Sequence, residues 1–311
     1  PPPMAAGLSG VFGYDMGRLL EPLGPANPDP LDLPDAVLTR PTLVAIFDSV
    51  KHEIVLVAAA YPDGGLDARA AFAAAEARLG AFETDLRRPL PALPEAIEAP
   101  APAFASPVDE AGFGEMVARA KDYIAAGDIF QVVLAQRFTQ DFPLPPIDLY
   151  RALRRINPSP FLYFLDMPGF ALIGSSPEIL VRVRDGDVTI RPIAGTRPRG
   201  ASDEEDQSHR TSLLADPKER AEHLMLLDLG RNDVGRAAVG GTVTVTDSYT
   251  VEFYSHVMHI VSNVIGRIAP EKDAIDALFA GFPAGTVSGA PKVRACQTLP
   301  ELGGGGRGAH G

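Results

Sequence analysis

Five short stretches of this 311-residue chain carry side chains that could do chemistry. In "DPKERAEH", Glu219 and Glu222 stand three residues apart, on one face of a helix that Asp216 can cap and Pro217 can start. Two carboxylates so spaced repel unless a cation lies between them, and Mg²⁺ takes one or two carboxylates plus substrate oxygens. The competing reading makes Glu219 the third residue of a capping box and leaves Glu222 on a solvated helix face. In "GSSPEIL", Glu178 ends a turn between apolar strands. Lodged there, a carboxyl keeps its proton to higher pH and can act as a general acid; exposed, it is an ordinary loop glutamate. His259 in "SHVMHIVSN" shares a strand face with Val257 and Val261, with His256 on the other face. It reads either as a hydrogen-bonded core histidine or as a catalyst. "FPAGTVSGAPK" joins a glycine-rich turn to a helix start, with Thr286 and Lys292 adding polar reach. Its free backbone N–H groups could hold an anion, or it is a plain connection. "RPIAGTRPRG" packs three arginines into a backbone fixed by proline and freed by glycine. Such arginines face carboxylates or phosphates, and the fourth position, Ala194, is inert. Together the stretches describe a site for a carboxylate-rich small molecule, with arginine, a divalent cation, a glutamate acid and a histidine.

The elements that must position these residues follow from periodicity. Residues 41–61 read as a hairpin and residues 65–86 as an alanine-rich helix. This partial N-terminal region, residues 1–86, is followed by a Pro/Ala-rich linker over 87–108. The remaining domain, 109–302, opens on a helix ending at Gly127, then a strand "IFQVVLAQRF" and a short helix "PIDLYRALRRIN". Three strand-like runs carry Glu178 and the arginine-rich stretch. An acidic segment, "ASDEEDQSHR", reads as mobile and solvated. A helix beginning at "DPKERAEH" runs at least to Gly230; two strands, with His259 on the second, and further helices follow. Residues 303–311 read as an unstructured tail. Strands in adjacent groups, with helices between groups, point to an α+β fold of largely antiparallel sheet.

Bulk properties limit the partners. The net charge of −12 repels nucleic acid and anionic lipid, so an anionic substrate needs local arginine or a metal ion. No apolar run approaches the roughly 18 residues of a membrane span. A single cysteine, Cys296, fits a reducing, cytoplasmic compartment. Neither GxGxxG after a strand nor GxxxxGK[ST] is present.

Seven motifs resemble the chorismate-utilising enzymes, and among them the anthranilate synthase component I branch. They are "GDIFQVVLAQRF", "NPSPFLYF", "GSSPEILVRV", "RPIAGTRPRG", "DPKERAEHLMLLDLGRNDVGR", "HVMHIVSNV" and "FPAGTVSGAPKVRA", in the family's order over roughly residues 109–296. "GLSGVFGYDMGR" resembles the family's N-terminal region. The resemblance implies two packed, largely antiparallel sheets flanked by helices. It implies a lyase of tryptophan biosynthesis that converts chorismate and ammonia to anthranilate and pyruvate. Mg²⁺ would be the cofactor, a glutamine amidotransferase subunit the partner, and L-tryptophan the feedback inhibitor.

By motif, the resemblance makes Glu222 a Mg²⁺ ligand with Glu219 beside it, Gly195, Thr196 and Thr286 substrate contacts, and Glu178 the general acid. It makes His259 a participant in elimination and gives Pro160, Phe161 and Leu162 to a tryptophan site. Related isochorismate synthases carry lysine where this chain has Gln131, and aminodeoxychorismate synthases carry lysine at Ala194. Lysine can activate water or attack the ring; glutamine and alanine cannot, which leaves the ring to ammonia. Aminodeoxychorismate synthase component I and an inactive fragment that only binds a partner or tryptophan are the alternatives. The family's later segment, with a tyrosine, an arginine and a second Mg²⁺ glutamate, has no counterpart here. The chain is therefore expected to be an excerpt with weak Mg²⁺ and chorismate binding and little activity.

Overall fold

The computed structural model describes residues 5–62, 64–90, 103–303 and 305–309. The chain divides into two compact units, Pro1–Phe12 with Ala36–Ala101, and Gly13–Asp35 with Pro102–Gly311. The division differs from a simple N-terminal region: residues 13–35 group with the larger unit. Most of the linker, residues 91–102, lies outside the described residues.

In the smaller unit, β1 (Ser9–Phe12) pairs antiparallel with β2 (Ala36–Thr39), and β3 (Leu43–Asp48) forms the expected hairpin with β4 (Glu53–Ala58). The hairpin turns because Asp48 accepts hydrogen bonds from the N–H groups of Val50 and Lys51. The alanine-rich helix α1 (Ala68–Leu86) starts on the side chain of Asp67.

The larger unit holds the chemistry-bearing residues. Its elements in order are α2 (Glu110–Ala125), β5 (Gln131–Val132), α3 (Pro146–Ile156), β6 (Phe161–Met167), β7 (Phe170–Ser176), β8 (Arg182–Arg184), β9 (Asp187–Ile190) and β10 (Ile193–Pro198). Then come α4 (Asp203–Ala215), α5 (Pro217–Ala237), β11 (Thr244–Phe253), β12 (Val257–Arg267), α6 (Ala274–Gly281), α7 (Gly285–Ser288), β13 (Gly289–Ala290) and α8 (Lys292–Leu302). Strand β12 is the axis of a five-stranded antiparallel sheet. One of its edges pairs with β10 and then β9, the other with β11. Pro192 separates β9 from β10, and the Ser262 N–H bridges the break by donating to its carbonyl. The other strands form two-stranded pieces, β6–β7 and β13–β5, rather than one continuous second sheet.

Alternation along β12 builds the core. Met258, Ile260 and Val264 are fully buried; Met258 and Ile260 pack with Leu213 of α4, and Val264 with Leu227 and Val234 of α5. Burial of each such side chain contributes about 1.5–3 kcal/mol. His259 and Asn263 keep partial exposure on the opposite face.

Three local expectations are corrected. The acidic segment is not a mobile loop but most of α4: Ser202 caps it, and Asp203, Glu204, Glu205 and Asp206 favour the positive end of the helix. "IFQVVLAQRF" contributes only Gln131–Val132 to a strand. The tail is not structureless where it is described: Gly306 N–H donates to Pro28 O, and Arg307 donates to the carbonyls of Val287 and Val133. A half-buried cation and two backbone bonds, the second from Tyr14 N–H to Gly308 O, hold a glycine run that has no periodicity of its own.

Candidate active site

Helix α5 begins as its sequence requires. Asp216 accepts from the N–H groups of Lys218 and Glu219, and Pro217 occupies the first turn. The expected reciprocal half of a capping box is not formed. Glu219 instead meets Arg197 Nη1 at 3.3 Å, while Arg197 also donates to Asp216 at 2.8 Å. Released from capping, Glu219 faces β10: a Cβ on Gly195 would lie 3.2 Å from its Oε2. Gly195 has φ +74°, so a glycine serves there both for the backbone and for the close approach.

The arginine-rich stretch answers to the protein's own carboxylates. Arg191 pairs with Glu252, Arg197 with Asp216 and Glu219, and Arg199 grips Asp206 at 2.6 Å. The carboxylates expected opposite such arginines are the protein's own, and the pairs hold the stretch in shape.

Thr196 Oγ and the Gly195 carbonyl both lie 3.1 Å from His259 Nδ1. A carbonyl only accepts, so the network assigns the hydrogen to Nδ1 and leaves the Nε2 lone pair free. The ring packs edge-on against Tyr254, 5.4 Å between centroids, and the Tyr254 hydroxyl donates to Glu252 at 3.0 Å. Burial, Glu252 and the more distant charge of Glu178 push the Tyr254 hydroxyl up to about 12.

Glu178 follows β7 and lines a cavity of about 40 Å³ with Leu180, Ile190, Leu226, Leu229 and Thr286. Desolvation pushes its carboxyl up to about 7, opposed by the 3.3 Å hydrogen bond that Thr286 donates to Oε2. Thr286 sits on the short helix α7, which leads into β13 and so, through the pairing of Ala290 with Gln131, into β5. Gln131 Nε2 then reaches Glu222 Oε1 at 3.3 Å.

These contacts link into an open circuit. It runs from Glu178 to Thr286, along β13 to Gln131, to Glu222 and Glu219, and through Gly195 and Thr196 to His259, with Tyr254 against the His259 ring. The structure thus brings together eight of the residues singled out in the sequence. It does not bring Pro160, Phe161 and Leu162 into the circuit. Phe161 and Leu162 lie on β6 opposite Ser176 and Ser175, joined to Glu178 only along the hairpin. Ala194 is buried and contributes a methyl group.

Sequence reasoning missed Tyr254, Asp233 and His223. Tyr254 stands five residues before His259, outside the strand alternation that flagged the histidine. Lys292 was assigned polar reach, yet it is buried, donating to Asp233 at 2.6 Å and to the Gly281 carbonyl at 2.7 Å. The signal that could have found the pair is that an isolated buried lysine needs a carboxylate.

A hard cation tests the donor set. Among the described residues no three His, Cys, Asp or Glu side chains converge as a metal group. Glu222 and Glu219 do supply two carboxylates one turn apart, and the Gln131 Oε1 beside them is buried without a partner. Carboxylate and amide oxygens suit Mg²⁺, which needs few protein ligands, so the residues fit.

The model of the chorismate binding enzyme family matches residues 1–311. The chain belongs to that family. It is 58% identical over 311 residues to anthranilate synthase component 1 of Cereibacter sphaeroides, covering 100% of this chain and 62% of the relative. It is 48% identical over 322 residues to the enzyme of the same name from Pseudomonas putida, covering 100% and 63%. The crystal structure of anthranilate synthase component I from Streptococcus pneumoniae superposes with a TM-score of 0.89 at 41% identity, over 99% of this chain and 68% of that one. The menaquinone-specific isochorismate synthase of Escherichia coli shares the fold, with a TM-score of 0.71 at 21% identity, over 97% and 64%. The chain spans about 62% of the length of these curated relatives. The α+β, antiparallel architecture read from the sequence is therefore that of the chorismate binding enzymes. Among the described residues no helix is long and apolar enough to cross a membrane.

Proposed function

We propose that the protein carrying this chain is the synthase component of anthranilate formation, a lyase acting on chorismate with ammonia. The observation that carries the reading is Glu178, a half-buried carboxyl that lines an apolar-walled cavity and is pushed up to about 7, on a circuit where Gln131 and Ala194 stand at the positions that would otherwise offer an amine. Protonated near neutrality, Glu178 gives its proton to the departing ring hydroxyl, which leaves as water while the ammonia nitrogen bonds to the ring. Thr286 holds the carboxyl in place. His259, with Nε2 free, accepts the ring proton in the second step, as the enolpyruvyl C–O bond breaks and pyruvate departs. Glu222, with Glu219 in support, would hold Mg²⁺, which when bound supplies charge neutralisation for a dianionic substrate. That neutralisation matters more here because Arg191, Arg197 and Arg199 are all engaged by the protein's own carboxylates.

The names of the relatives support the same reading. An amidotransferase subunit as the ammonia source and L-tryptophan at Pro160, Phe161 and Leu162 complete it.

The test is fluorescence-detected anthranilate formation from chorismate, Mg²⁺ and ammonium by the full reading frame that carries this chain. Anthranilate without added lyase supports the proposal, and a non-aromatic amino product refutes it in favour of an aminodeoxychorismate synthase. Glu222→Gln should remove the Mg²⁺ requirement together with most of the rate; an unchanged requirement and rate would overturn the ligand assignment.

A further inference from the structure

Beside Glu222 on α5 is a histidine that the proposed reaction does not use. His223 is fully buried, and its Nε2 lies 2.7 Å from the hydroxyl of Ser262 on β12. That hydroxyl also accepts the Tyr249 N–H at 3.1 Å. Tyr249 sits where the β11–β12 register shifts between Asp247 and Thr250, with φ +54°. The irregularity takes its N–H out of the regular ladder, and Ser262 receives it. The Ser262 hydroxyl thus receives the Tyr249 N–H and shares one further hydrogen with His223 Nε2. The other ring nitrogen, Nδ1, is buried without a partner. A ring kept in the interior with one nitrogen unsatisfied is held there by the bond that the other nitrogen makes.

Two further contacts tighten the same junction. The Tyr249 ring meets the His223 ring at 4.7 Å, and its hydroxyl donates to the carbonyl of Arg220 at 3.3 Å. The backbone N–H of Ser262 donates to Pro192 at the head of the arginine-rich strand. Ser262 therefore ties together α5, the β11 irregularity and the entry to β10, three residues along the strand from His259.

We infer that His223, Ser262 and Tyr249 form a positioning latch. It fixes the rotation of α5 about its axis and so aims Glu219 at β10 and Glu222 at Gln131 of β5. His223 lies four residues after Glu219 and one after Glu222, so any roll of the helix that frees the imidazole also moves both carboxylates. His223 acts through its neighbours and touches no substrate. The inference rests on the reading of Glu222 as a metal ligand.

The test measures Mn²⁺ binding by electron paramagnetic resonance, with chorismate present, in the full reading frame. His223→Leu keeps the volume but removes the imidazole's half of the bond, Ser262→Ala removes the hydroxyl's half, and His223→Gln offers Ser262 a new hydrogen-bond partner. In folded protein the first two should weaken Mn²⁺ about tenfold or more, and His223→Gln should stay within about threefold of the parent. Binding within about twofold of the parent by folded Ser262→Ala or His223→Leu overturns the latch. If His223→Leu does not fold, the smaller change at Ser262 decides. Loss of folding in both makes the contact a stability element alone and also overturns the positioning role. Glu222→Gln separates the two ideas: if it binds Mn²⁺ as the parent does, the ligand reading fails. The latch is then judged on kcat at saturating chorismate, which should drop about tenfold in His223→Leu and Ser262→Ala and return in His223→Gln.

Discussion

The Thr286 hydroxyl donates to Glu178 Oε2 across 3.3 Å, joining a four-residue helix to a strand end 108 residues away. The carboxyl it steadies is walled by Leu180, Ile190 and Leu226, and desolvation outweighs the bond, leaving the group protonated up to about pH 7.

Because the folded-state pKa lies above the unfolded 4.5, the protonated form stabilises the fold below pH 4.5, and that contribution is lost as pH rises through about 7. The full shift corresponds to roughly 3 kcal/mol. Urea unfolding should show parent stability falling between about pH 4.5 and 7 relative to Glu178→Gln. Turnover should decline over the same upper limb, and the variant should lose at least about a hundredfold in kcat. Parallel stability profiles for parent and variant would contradict this.

Gln131→Lys places an ammonium beside Glu222, where the amide nitrogen now stands 3.3 Å away. The new ion pair competes for the carboxylate that the metal needs. Anthranilate fluorescence should fall by about tenfold or more, with a higher Mg²⁺ concentration at half-maximal rate. A parent-like Mg²⁺ response would show that Gln131 does not govern that carboxylate.

Gly195→Ala forces an L-residue to φ +74° and sets a methyl 3.2 Å from both Glu219 Oε2 and Ile260 Cδ1. The expected loss is about 1–2 kcal/mol, read as a lower urea midpoint with an unchanged slope.

Lys292→Met leaves the buried Asp233 charge uncompensated, with one of its oxygens already lacking a partner. Stability should drop by about 3–5 kcal/mol, and the double change with Asp233→Leu should recover much of it. Equal losses for the single and double variants in chemical denaturation would argue against the pair being coupled.

What could be read without coordinates was local. The start of α5 is written in Asp216, Pro217 and Glu219, whereas the apolar neighbours of Glu178 left its surroundings open between a lodged carboxyl and an exposed loop glutamate. Partnerships across long separations were not legible. Arg191 finds Glu252 61 residues on, and His223 finds Ser262 39 residues on, so no spacing rule reveals either. Residues 203–206 misled for another reason: an acidic run reads as solvated unless Ser202 is recognised as the cap that makes its charges useful. Glu219 was half legible, its position correct for a capping box but its side chain drawn away by an arginine 22 residues earlier.

The two-sided character of β12 has a practical consequence for engineering. Side chains at 258, 260 and 264 answer to the interior, while 259 and 263, on the face they share with the buried Val261, keep partial exposure. A randomised library confined to 259 and 263 should therefore retain expression yield, with anthranilate formation lost wherever His259 is replaced. The same diversity spent on 258, 260 and 264 should yield mostly insoluble clones, whatever catalytic promise they held.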